Sequence, residues 1–167
     1  MDDRVAQLVD QWTRERPDVD VATMATVARL LGTADLARAA IGTLAASYDL
    51  TTAEGDVLFA LRRSGPPYRL LPSRLSAALL VSSGTMTSRL DRLERGGLID
   101  RTTVPEDRRA VAVSLTERGR EVTDEALTRH MAAEERMLAP LSERERRTLD
   151  RLLRKVADGF DERVGTP

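Results

Sequence analysis

The segment SSGTMTSRLDRLERGGLID, Ser82 to Asp100, opens with small hydroxyl residues around Gly84, continues as arginines spaced among leucines, and stops at Gly96-Gly97. Ser82 or Ser83 can cap a helix here, Met86, Leu90 and Leu93 fall on one helical face, and Gly96 is a C-terminal stop. With that face turned to a core, Ser88, Asp91, Arg92 and Arg95 point the opposite way, and Thr85, Thr87 and Arg89 lie on the flanks. The product is a helix with a slim N-terminus and an arginine-bearing outer side.

The neighbouring residues extend this pattern. Pro72 suits the first turn of a preceding helix, PSRLSAALL, which carries Leu75 and Leu79 inward. Only Val81 and Ser82 lie between the two helices, so together they read as a helix-turn-helix. After the glycines the apolar period changes from helical to alternating: LIDRTT and AVAVSLT read as two strands, with VPEDRR as a charged tip between them.

Toward the N-terminus, Thr51 and Glu54 are spaced as a capping box for a helix that turns Val57, Leu58 and Leu61 inward and ends at Gly65-Pro66-Pro67. A short helix is expected over Val5–Glu15, and a long alanine-rich one over Asp20–Tyr48, where Gly32 and Gly42 weaken continuity. Toward the C-terminus, Thr116 caps a long helix to about Leu138. Ser142 and Glu145 form a second capping box before Leu149, Leu152, Leu153, Val156 and Phe160, an apolar stripe that must be buried against something. The expected class is mainly α with a small β wing. Its three parts are N-terminal helices over 1–50, a winged helix-turn-helix over 51–115, and C-terminal helices over 116–167.

Composition narrows the chemistry. The 167 residues are 41% hydrophobic but only 3% aromatic, so the core is built from Leu, Val, Ala and Ile. Cysteine is absent, which excludes disulfides, thiolate-zinc sites and thiol catalysis. The lone histidine, His130, sits in a charged helix, and there is no phosphate-binding glycine loop or paired metal-ligand motif, so neither an enzyme nor a bound cofactor or metal is expected. No long apolar run or signal-peptide opening is present, and a cytoplasmic protein is expected. Net charge is -1 overall, yet from Arg69 to Ala110 eight arginines face five acids, leaving +3 there and -4 elsewhere. Local charge is what meets a phosphate backbone.

A helix in a major groove presents its N-terminal residues to base edges. Ser83, Gly84, Thr85, Thr87 and Ser88 permit close approach, their hydroxyls bond bases or phosphates, and Arg89 and Arg92 read guanine or clamp phosphate. At the wing, Arg108 and Arg109 are placed to enter a minor groove, with Asp107 holding Arg109 extended. The competing readings are a solvated helix face and a solvated Asp107–Arg109 pair.

These residues resemble the MarR family of winged helix-turn-helix regulators. LSAALLVSSGTMTSRLDRLERGGLI and EDRRAVAVSLTERG carry the resemblance, the second matching a D-x-R…L-T wing motif at Asp107, Arg109, Leu115 and Thr116. The resemblance implies a homodimer clasped through its terminal helices, with two reading helices and two wings on one pseudo-palindromic duplex, and repression as the usual mode. Geometry alone sets the half-sites about one helical turn, roughly 10–10.5 bp, apart.

The N-terminal helix with Trp12 is similar to that of the urate-responsive branch of this family. That similarity implies a ligand site of Trp12, Asp56, Arg63 and Arg101, read from DQWTRE, EGDVLFALRR and GLIDR. Asp56 and Arg63 lie two turns apart on one stripe, Trp12 offers an apolar plane with an N–H donor, and the arginines offer forks to a planar anion such as urate or xanthine. The structural alternatives are a packed Trp12 and an ion pair of Asp56 with Arg63 or Arg101. Two other functions compete: a MarR-type regulator of a phenolic or antibiotic-like ligand, and a helical adaptor that binds protein in place of DNA.

Overall fold

A computed structural model describes residues 4–104 and 107–164, with side chains for 4–103 and 111–160. The elements run α1 (Arg4–Glu15), α2 (Ala22–Ala46), α3 (Thr52–Arg63), β1 (Arg69–Leu70), α4 (Pro72–Ala78), α5 (Ser83–Arg95), β2 (Ile99–Val104), β3 (Asp107–Leu115), α6 (Glu117–Leu138) and α7 (Glu143–Val164). The fold is mostly helical with one small antiparallel sheet, as expected. The chain divides into two compact units between Leu127 and Thr128.

Within the first unit the core is the helix-turn-helix and its sheet. Val57, Leu58 and Leu61 of α3, Leu75 of α4, and Met86, Leu90 and Leu93 of α5 are buried together with Leu98, Ile99 and Val113. Each fully buried leucine contributes about 1.5–3 kcal/mol relative to exposure. The capping box of α3 forms in both directions: Thr51 Oγ1 accepts from the Glu54 N–H, and Glu54 Oε2 accepts from the Thr51 N–H at 2.8 Å. Ser82, rather than Ser83, caps α5. Neither Gly32 nor Gly42 interrupts α2. The turn between α4 and α5 places Leu80 at φ 52° with 92% of its surface exposed.

The sheet differs from the sequence expectation in two ways. It has a third strand, β1, and its order is β1-β3-β2. Two residues are too few to show alternation, so β1 carries no period of its own; it exists because Arg69 and Leu70 pair with Ser114 and Val113. In addition, β3 begins at Asp107, which pairs with Val104 after a register shift at Thr103/Val104. Asp107, Arg108 and Arg109 therefore belong to the strand backbone and not to the tip. Their side chains lie outside the described residues.

Thr116 joins three elements. Its N–H donates to the Leu98 carbonyl at 3.1 Å, its hydroxyl donates to the Gly97 carbonyl at 2.8 Å, and the same oxygen accepts from the Gly119 N–H at 2.9 Å. Gly119 is buried so tightly that an added Cβ would lie 1.9 Å from the Leu98 oxygen. Nearby, Arg62 of α3 donates to Asp124 of α6 at 2.6 and 3.1 Å and lies 4.9 Å above the Tyr68 ring.

In the second unit the Ser142–Glu145 capping box starts α7, and Arg146 binds Glu135 of α6 at 2.7 Å. The α7 stripe of Leu149, Leu152, Leu153, Val156 and Phe160 is exposed, Phe160 by 65%. No described helix is long and apolar enough to cross a membrane.

Candidate nucleic-acid interface and effector site

The slim N-terminus of α5 is open, since an added Cβ at Gly84 would meet nothing within 4 Å. Ser83, Thr85, Thr87 and Ser88 are exposed, and Arg89 is half-buried. Several of the hydroxyls already bond within their own helix. Thr87 donates to the Ser83 carbonyl at 2.9 Å, Ser88 to the Gly84 carbonyl at 3.2 Å, and Thr85 pairs with Ser82 at 2.9 Å. Their remaining lone pairs, and the unsatisfied N–H groups of the first turn, are what this end offers to a partner.

Two charge pairs hold the C-terminal half of α5 from different flanks. On one side Arg92 Nε lies 2.7 Å from Oε1 of Glu54, whose side chain is only 4% exposed while that of Arg92 is 58% exposed. On the other, Arg101 Nη2 donates to Asp91 Oδ1 at 2.6 Å and Nη1 lies 3.5 Å from Glu94. Strand alternation explains the second contact. Arg101 is two residues from buried Ile99 and opposite buried Val113, so it leaves the sheet on the face that packs against α5.

The four residues read as an effector site stand on three elements. Trp12, on α1, is 45% exposed. Asp56 and Arg63 lie on the exposed side of α3, two turns apart, and Arg101 is the third residue of β2. Among the described residues no hydrogen bond or ion pair joins any two of the four. The Arg101 carboxylate partners are Asp91 and Glu94, not Asp56. Sequence reading took Glu54 only as a cap and missed its link to Arg92, which depends on α3 packing against α5. It also missed a cleft of about 390 Å³ beside that pair, bordered by Leu50, Leu98 and Arg118.

Over 152 residues, 91% of this chain and 92% of the other, the sequence is 38% identical to the HTH-type transcriptional regulator PecS of Dickeya dadantii (strain 3937). The chain belongs to the MarR family. A profile of the MarR family matches residues 48–110, from just beyond α2 into β3. Among solved structures of MarR regulators, AbsC of Streptomyces coelicolor shares the fold with a TM-score of 0.72 at 23% identity, over 86% of this chain and 97% of that one. A mutant MarR from E. coli, solved with operator DNA, matches with a TM-score of 0.68 at 26% identity, over 83% and 98% of the two chains. The protein is thus a MarR-type DNA-binding transcriptional regulator, and the open end of α5 is its candidate reading head.

Proposed function

We propose that the chain acts as a homodimeric repressor on a pseudo-palindromic operator and releases it on binding urate or a related purine such as xanthine. In this reading Ser83, Thr85, Thr87, Ser88, Arg89 and Arg92 meet the major groove, and Asp107, Arg108 and Arg109 of the wing meet the adjacent minor groove. Residues 51–115 form the DNA-binding part, while 1–50 and 116–167 carry dimerisation. The exposed apolar side chains of α1, α2 and α7 support pairing of two copies, because clustered apolar surface of this kind marks an interaction site.

The observation that carries the effector reading is the Arg101 contact with Asp91 and Glu94. The wing arginine assigned to the ligand is the same residue that ties the wing to the reading helix. An anion bound by Trp12, Asp56, Arg63 and Arg101 competes with those two carboxylates, so effector affinity and helix position are linked through one guanidinium.

A mobility shift on the intergenic DNA upstream of the protein's own gene, titrated with urate, xanthine, hypoxanthine and salicylate, tests this. Urate is expected to lower operator affinity, and Arg63→Ala or Trp12→Phe to blunt that response while DNA binding persists. Unchanged urate sensitivity in both variants removes the site, and release by salicylate alone reassigns it to a phenolic ligand.

A further inference from the structure

Glu54 is more buried than its role as a helix cap requires. The caps of surface helices are normally solvated; here the carboxylate is 4% exposed and takes three partners. Oε2 accepts from the N–H and hydroxyl of Thr51 at 2.8 and 2.9 Å, and Oε1 faces Arg92 Nε at 2.7 Å. A charge this deep is tolerated only when it is paired, and removing the partner leaves it uncompensated. The pair is therefore fixed in one direction: Glu54 cannot release Arg92 without a large penalty, whereas Arg92 stays open to solvent over more than half of its side chain.

The placement of Arg92 on α5 gives that fixation a use. Successive helical residues are about 100° apart, so Arg92 sits roughly 160° around the helix from Glu94 and about 100° from Asp91. Arg101 grips those two from the wing side while Glu54 grips Arg92 from α3. Opposed grips on one helix set its rotation about its own axis, and rotation decides which side chains face the duplex. A planar guanidinium held at one edge also loses less freedom on meeting a phosphate or a guanine than one that swings freely.

We infer that Glu54 is a positioning residue for DNA recognition: through its ion pair it aims the Arg92 guanidinium and fixes the rotation of α5, without touching DNA itself. The inference rests on the reading that Arg92 meets the operator.

The test is a double-mutant cycle on operator affinity, with the salt dependence of binding measured for each protein. Glu54→Gln keeps the size of the side chain and an oxygen for the Thr51 bonds but removes the charge that holds Arg92. Glu54→Gln, Arg92→Ala and the double variant are each expected to lose about tenfold in affinity, with no further loss in the double, and to flatten the slope of log K against log salt by the same amount, about one unit. Thr51→Ala weakens the cap and leaves the Arg92 pair, so it is expected to lower Tm while keeping affinity and slope. If Arg92→Ala weakens binding and Glu54→Gln does not, or if their losses multiply, the positioning role is overturned. An operator loss in Thr51→Ala equal to that in Glu54→Gln overturns it as well, because the effect is then one of folding. An Arg92→Ala protein that binds as the wild type does overturns instead the assignment of Arg92 to DNA.

Discussion

Arg101, in the wing strand β2, donates to Asp91 of α5 at 2.6 Å across ten residues of sequence. The bond joins α5 to the wing, the two parts that the proposed function assigns to the duplex, and it uses the arginine that the proposed effector also requires. A neutral partner competes less well for a guanidinium than a carboxylate does. Asp91→Asn is therefore expected to lower the urate concentration needed for half-release several-fold, read from a mobility-shift titration. A requirement for more urate would contradict the competition.

Gly119 lies where the first turn of α6 passes the Leu98 carbonyl, and a methyl group there would overlap backbone that has no rotamer to change. Gly119→Ala is expected to destabilise the first unit by about 1–3 kcal/mol or more, the usual range for overpacking. Urea unfolding followed by circular dichroism measures it. Gly84→Ala, at an open site, serves as the matched control for stability.

Leu80 shows the opposite situation. It occupies left-handed backbone at φ 52° in the turn between α4 and α5, with nearly all of its side chain in water. The conformation costs an L-residue roughly 1–2 kcal/mol, and no buried contact of the side chain offsets it. Leu80→Gly is expected to raise stability by up to about 1 kcal/mol, less than the full strain because glycine also loosens the unfolded chain. A fall in Tm would show that this leucine packs in a way that its exposure does not suggest.

The hydrogen bonds from Arg62 hold the Asp124 carboxyl below the usual aspartate range, against a smaller opposing effect of desolvation. A depressed carboxyl stabilises the fold above its unfolded pKa, about 3.9, and that contribution disappears as pH falls through the lower folded value. Asp124→Asn is thus expected to lower Tm near pH 7, with the gap to the wild type closing toward about pH 2. A gap that persists in acid would mean that the side chain acts by shape and not by charge.

What could be read before the structure was local. The inward set of α5, Met86 with Leu90 and Leu93, follows from helical spacing, and both capping boxes follow from a hydroxyl and a glutamate three residues apart. What could not be read was pairing across distance. Nothing in the Thr51–Glu54 spacing says that an arginine 38 residues on from Glu54 will lie against it, because that depends on how α3 crosses α5. In the same way, the strand start at Asp107 is set by its pairing with Val104 and not by its own residues, which read as a polar turn. The apolar residues of α7 were legible as a stripe needing cover, and the single chain leaves them in water.

The hydroxyl of Thr116 has a mechanical meaning. One oxygen atom is seated against Gly97, two residues beyond α5, and, at the same time, against the opening turn of α6. With the Thr116 N–H on the Leu98 carbonyl and Gly119 packed against the same oxygen, the two segments are tied at adjacent points. A tilt of that opening turn therefore bears on the Gly97 carbonyl through one hydroxyl, which makes the threonine a short lever between the two.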